Sequence, residues 1–144
     1  MSRRFGLRTA APALAVAALF TGCHSAVLDA EQRAVVDPLD ELVWAPGTAA
    51  DVPGSYTSVR IEGPAAAVLI EVHYRFDADG TFTGAGLVSQ PTYAFQVLNG
   101  EWRVEDGLLF LSADGAPATL EVAEEYLRMA GDEGIVLLQR RPEA

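Results

Sequence analysis

Val68-Leu69-Ile70-Glu71-Val72-His73-Tyr74-Arg75-Phe76-Asp77-Ala78-Asp79-Gly80-Thr81-Phe82-Thr83 is the stretch whose reading decides the fold. Side chains alternate along a strand, so Val68, Ile70, Val72, Tyr74 and Phe76 share one face and Glu71, His73 and Arg75 the other. Asp79-Gly80 suits a tight turn, because glycine enters the left-handed conformation without steric cost. A three-residue loop then sets Phe76 opposite Phe82. The stretch predicts an antiparallel hairpin with one buried face and with His73 on the solvent side. The paired aspartates do not read as a calcium loop: glycine falls fourth and Thr81 fifth, where such a loop needs a ligand fifth, glycine sixth and glutamate twelfth.

C-terminal to the hairpin, Thr92–Leu98, Asn99-Gly100 and Glu101–Glu105 predict a second one, since Asn-Gly between alternating apolar runs favours a two-residue turn. That pairing places Tyr93, Phe95, Val97, Trp102 and Val104 on one face. Beyond Glu105-Asp106-Gly107 two registers stay open. A three-residue loop buries Leu108 and Phe110; a two-residue loop buries Leu109 and Leu111. Ala118–Ala123 alternates with Leu120 and Val122 on one face. Glu124–Ala130 has helix-forming residues, but its shortness and the alternation of Leu127 and Met129 favour a strand. Ile135–Gln139 reads as the last strand.

N-terminal to the hairpin, Tyr56–Ile61 reads as the first strand after Pro53-Gly54-Ser55. The expected fold class is all-β: an antiparallel meander of eight or nine strands forming a small barrel or sandwich. Tyr74, Phe76, Phe82, Tyr93, Phe95 and Trp102 are expected to share its apolar face. They are read first as a packed core and second as the lining of a cavity for a small apolar ligand.

Four motifs carry a family resemblance: Tyr74-Arg75-Phe76-Asp77-Ala78-Asp79-Gly80-Thr81-Phe82, Gly100-Glu101-Trp102, Gly107-Leu108-Leu109 and Leu138-Gln139-Arg140-Arg141. Their succession resembles the small lipocalin-like lipoproteins of bacterial envelopes. On the first strand, Gly54-Ser55-Tyr56 stands where lipocalins carry Gly-x-Trp. The resemblance implies a lipocalin-like β-domain over residues 54–141.

The N-terminus supplies an address. Arg3, Arg4 and Arg8 precede an apolar, alanine-rich run from Thr9 to Phe20 that is too short for a permanent membrane span, which is the pattern of a secretory signal peptide. Leu19-Phe20-Thr21-Gly22-Cys23 resembles the lipobox of bacterial lipoproteins. That resemblance implies cleavage of residues 1–22, lipidation of Cys23, and attachment to a cell-envelope membrane on its periplasmic or surface side. Ser2-Arg3-Arg4-Phe5 leaves twin-arginine export open beside the general secretory route. Residues 23–53 read as a lipidated N-terminus and linker, with a short helix over 26–36 that stops ahead of Asp37-Pro38. Leu39, Leu42, Val43 and Trp44 are apolar enough to strap onto the domain.

Composition excludes several functions. The net charge is −10, and beyond Cys23 seven arginines face 20 carboxylates, a balance of −13 that repels nucleic acid. One cysteine forms no internal disulfide and no cysteine metal cluster. His24 adjoins the expected anchor and His73 lies on the solvent face, so nucleophilic catalysis lacks a placed base. The carboxylate pairs Glu105-Asp106, Glu124-Glu125 and Asp132-Glu133 fall at turns. No nucleotide-binding glycine loop and no zinc motif is present. The expectation is a non-enzymatic envelope lipoprotein without cofactor or metal, whose partners are the membrane and either an envelope protein or a small apolar ligand.

Overall fold

The alternation in Val68–Thr83 propagates through the rest of the domain until the sheet meets its own first strand. The structure, a computed structural model, describes residues 36–112 and 115–143. The signal peptide, Cys23 and, apart from Val36, the helix read over 26–36 lie outside the described residues. Among the described residues nine strands occur: β1 (Ala45–Pro46), β2 (Gly54–Glu62), β3 (Leu69–Phe76), β4 (Thr81–Val88), β5 (Ala94–Glu105), β6 (Leu108–Leu111), β7 (Ala118–Ala123), β8 (Tyr126–Gly131) and β9 (Gly134–Arg140). From β2 to β9 each strand pairs antiparallel with the next, and β9 returns to β2, closing an eight-stranded up-and-down barrel. Closure gives the two terminal barrel strands a partner each, as an open sheet cannot.

The first hairpin forms as its sequence predicts. Phe76 stands opposite Phe82, and Asp77 N–H donates to Thr81 O at 2.9 Å. Asp79 Oδ1 accepts from Thr81 N–H at 2.9 Å and from Thr81 Oγ1 at 2.6 Å, so the carboxylate is spent on fixing the turn. Those bonds, the side-chain one first, hold the Asp79 carboxyl below the usual aspartate range. Trp102 reads the same turn from β5: its backbone N–H donates to Gly80 O at 2.7 Å and its Nε1 to Asp77 O at 3.0 Å. The segment Glu124–Ala130 supplies β8, with Leu127 and Met129 buried.

The second expected hairpin does not form. Ala94–Glu105 is one continuous strand that passes straight through Asn99-Gly100. Gly100 sits opposite Phe82, and a Cβ there would stand 3.2 Å from Phe82 Cε1 and collide with the Ser112 hydroxyl. Glycine at this position answers close packing and not a turn. The consequence is a change of parity. A two-residue turn would have put odd positions before it on the face of even positions after it; a straight strand puts them on opposite faces. Trp102 and Val104 point inward, whereas Tyr93, Phe95 and Val97 are 76%, 75% and 68% exposed.

Two further registers are settled. Glu105 pairs with Leu108 across Asp106-Gly107, so the two-residue loop holds and Leu109 and Leu111 are buried. Asp106 at φ 51° and Gly107 at φ 75° supply the two positive dihedrals such a turn demands. On β3 the pairing with β4 shifts between Leu69 and Glu71. This bulge leaves Ile70 and, ahead of the strand, Val68 about half exposed, instead of on the buried face with Val72, Tyr74 and Phe76.

Pro38–Asp51, part of the stretch read as a linker, packs on the barrel. Leu39, Leu42 and Trp44 lie over the outer wall at Ile135 and Leu137. Arg60 Nη1 donates to Asp40 Oδ1 at 2.8 Å, and the Arg128 guanidinium lies 4.5 Å from the Trp44 ring centre. This cover explains why Leu137 and Leu138, neighbours on opposite faces of β9, are both buried. The strap then enters the sheet: Ala45 and Pro46 pair with Val122 and Glu121, and Gly47 N–H donates to Leu120 O at 2.9 Å. β6 pairs with β7 only at Ala118 and Thr119, so β1 occupies the part of β7 that β6 leaves open.

Candidate functional site

The sequence offered three places for function: the aromatic set, His73 with its neighbours, and Cys23. Cys23 lies outside the described residues. Of the six aromatics, the fold brings four together. Tyr74 stacks on Phe76 at 5.4 Å between ring centres; Phe76 meets Phe82 at 6.1 Å and the Trp102 edge at 6.1 Å; Tyr74 meets Phe82 at 6.3 Å. Tyr56, from the first barrel strand, joins them at 6.0 Å from Phe76. Rings at these separations are in contact with one another. Tyr93 and Phe95 take no part.

Beneath that layer the barrel is stoppered. Val52 is fully buried, and Tyr56 O–H donates to Asp51 O at 3.2 Å. The Arg140 guanidinium lies 4.9 Å from the Tyr56 ring centre and donates to Pro53 O at 2.6 Å and Asp51 O at 2.8 Å. Burial pushes the Tyr56 phenol up to about 12. Thr48 holds Asp51 by its backbone N–H at 2.8 Å and its hydroxyl at 2.7 Å, which keeps that carboxyl below the usual range. Tyr56 and Arg140 come from Gly54-Ser55-Tyr56, on the first barrel strand, and from Leu138-Gln139-Arg140-Arg141, on the last, and the eight-stranded antiparallel architecture is compatible with a lipocalin-like barrel.

His73 faces outward, its side chain 42% exposed. Its ring nitrogens lie 3.0 Å from Thr57 Oγ1 and 3.1 Å from Glu71 Oε1. Hydroxyl, imidazole and carboxylate follow one another as in a nucleophile–base pair with its orienting acid, a grouping that sequence inspection missed because Thr57 lies on another strand. The surroundings do not match that chemistry. Arg141 Nη1 also donates to Thr57 Oγ1 at 3.2 Å. Thr57 lies between β3 and β9 and His73 between β2 and β4, so both backbones are engaged in the sheet and neither is a free donor for a developing oxyanion. The grouping ties the last residues of the chain to the outer wall.

Among the described residues, no group of three or more histidine, cysteine or acidic side chains could hold a metal ion, and no helix is long and apolar enough to cross a membrane. The surface hollows among the described residues include two that mix apolar and charged side chains. One, of about 320 Å³, lies under the strap around Trp44, Arg128 and Leu137. The other, of about 380 Å³, opens where β2 and β3 diverge past Thr57 and His73, between Val59 and Ile61 on one side and Leu69 and Ile70 on the other.

The feature that sequence reasoning misplaced is the outer stripe on β5. Opposite Phe95 on β4 stands Leu87, and opposite Val97 stands Ala85. With Tyr93 they make an apolar strip on the outside of a strongly acidic chain. Gly80 to Gly100 contains no charged residue at all. Single exposed apolar residues are ordinary, whereas a contiguous strip with aromatic members is a mark of contact surfaces. No family model, no curated protein and no solved structure matches the chain.

Proposed function

We propose that this chain is a lipid-anchored protein of the cell envelope whose β-barrel is a rigid, non-enzymatic scaffold presenting its outer wall to a protein partner. The observation that carries the reading is the exposed strip of Tyr93, Phe95 and Val97 on a closed barrel whose interior rings pack on one another. The anchor rests on the lipobox resemblance at Leu19–Cys23; two or three acyl chains hold a protein at a membrane stably where one holds it marginally. Cys23→Ser tests it. The substitution should move the protein from the membrane fraction to the soluble one, and retention in the membrane with normal signal cleavage overturns the anchor.

A second reading, a carrier of a small apolar ligand, draws on the hollow between β2 and β3, whose size falls within the range of small-molecule sites. Native mass spectrometry of the detergent-extracted protein separates the two. A reproducible added mass, removed by organic solvent and lost on Ile61→Glu, favours the carrier; a bare protein mass favours the scaffold.

A further inference from the structure

One edge of β5 is paired with β4 over its first eight residues; among the described residues the other edge is paired only where β6 covers it. Ala94–Glu101 pairs with β4, while β6 covers only Trp102–Glu105. Trp102 N–H donates toward β4, to Gly80 O, and Ser112 N–H donates to Glu101 O from the opposite side. Backbone groups alternate sides along a strand. By that parity Phe95, Val97 and Asn99 direct their N–H and C=O groups away from β4, and among the described residues no strand meets them there. The same residues carry the exposed apolar side chains. A bare, extended, apolar edge is a template for strand addition.

From this edge we infer that the segment from Tyr93, just ahead of β5, to Asn99 pairs antiparallel with the same segment of a second copy of this chain, across a two-fold axis at Gln96. The inference rests on the reading of this strip as a protein-docking surface and names its occupant. Parity allows only registers in which outward-directed residues meet each other. The one centred on Gln96 sets Phe95 against Val97 of the second copy and Val97 against its Phe95, with Tyr93 against Asn99. Apolar side chains then meet on both halves, and a two-fold pairing consumes the edge of each copy and stops at a dimer. The register centred on Val97 would instead oppose Phe95 to Asn99 and Tyr93 to Glu101, and the one centred on Phe95 would set Asn99 against Pro91, which has no N–H to donate and lies ahead of β5.

Charge points to the same occupant. Two chains of net charge −10 repel over most of their surfaces, yet Gly80–Gly100 brings no charge to the contact. This neutral wall is where like can approach like. Self-pairing should therefore strengthen with added salt, which screens the remaining repulsion. Docking of a basic partner would weaken. The strip would bury on the order of 1,000 Å² over both copies, at the lower bound for a specific interface, which suits a reversible contact.

The test uses the full-length chain carrying Cys23→Ser, in mild detergent. Gln96→Cys places the only thiols of a dimer opposite each other, at a separation a disulfide can span. Mild oxidation should give a covalent dimer, at least tenfold more than from Arg103→Cys on the same strand. Sedimentation without oxidant should show a monomer–dimer equilibrium that tightens with salt and is lost on Val97→Lys, with the melting temperature of that exposed variant unchanged. A monomer at all concentrations, dimers insensitive to Val97→Lys, or assemblies larger than a dimer overturn the proposal. If a photo-crosslinker at Phe95 in cells captures only a different protein, self-pairing fails and the docking surface stands. If it captures none, both fail.

Discussion

The Arg140 guanidinium lies over the ring of Tyr56, 4.9 Å from its centre, and donates to the carbonyls of Pro53 and Asp51. One side chain from the last strand thereby ties the first barrel strand to the turn that stoppers the barrel. Arg140→Ala should cost about 1–2 kcal/mol, the worth of charge-assisted bonds discounted for exposure. Arg140→Lys should recover only part of this, because an ammonium lacks the planar fork. Urea denaturation measures both; equal stability of Arg140→Ala and the parent would refute the tie.

Tyr56 beneath it gives a pH dependence. Its phenol is raised from 10.0 to about 12 by burial, so the folded state holds the proton more tightly than the unfolded one. The contribution is complete below pH 10 and is lost as pH rises toward 12, on the order of 2 kcal/mol in all. Tyr56→Phe should flatten the stability profile in that window while costing about 1 kcal/mol at neutral pH for the lost bond to Asp51 O. An unchanged alkaline slope would contradict the assignment.

Gly84 lies under Tyr74, where an added Cβ would stand 2.9 Å from the ring carbon Cε1. Tyr74 is itself backed by Phe76 and Phe82 and has nowhere to retreat. Gly84→Ala should destabilise by about 1–3 kcal/mol, the range for overpacking. Thermal melting checks it.

Glu124 opens the two-residue turn between β7 and β8 at φ 52°, a conformation that side chains resist. Glu124→Gly relieves the backbone and should stabilise by about 0.5–1 kcal/mol once the greater freedom of glycine in the unfolded chain is counted. A loss of stability would mean that the exposed carboxylate has a role of its own.

The Phe76–Phe82 pairing and strand β8 were legible because alternation, with turn chemistry at Asp79-Gly80 and the shortness of Glu124–Ala130, lies within a few neighbouring residues. β5 was not. Asn99-Gly100 carries the local signature of a turn, and only the neighbours in space, Phe82 and Ser112, show why a glycine stands there. That one substitution of packing for turning moved Tyr93 and Phe95 from the expected core to the outer wall. Ile70 was misplaced by a bulge that no local residue announces. In both cases the signal lay on another strand, and a single chain read in order does not reveal which strand that is.

The central claim is that the working surface is the outside of β5 and not the inside of the barrel. Photo-crosslinking from Phe95 in intact cells, with Phe82 as the buried control position, tests it most directly. The account predicts a protein adduct from position 95 and none from 82. No protein adduct from 95, together with a small apolar molecule crosslinked at 82, would contradict it.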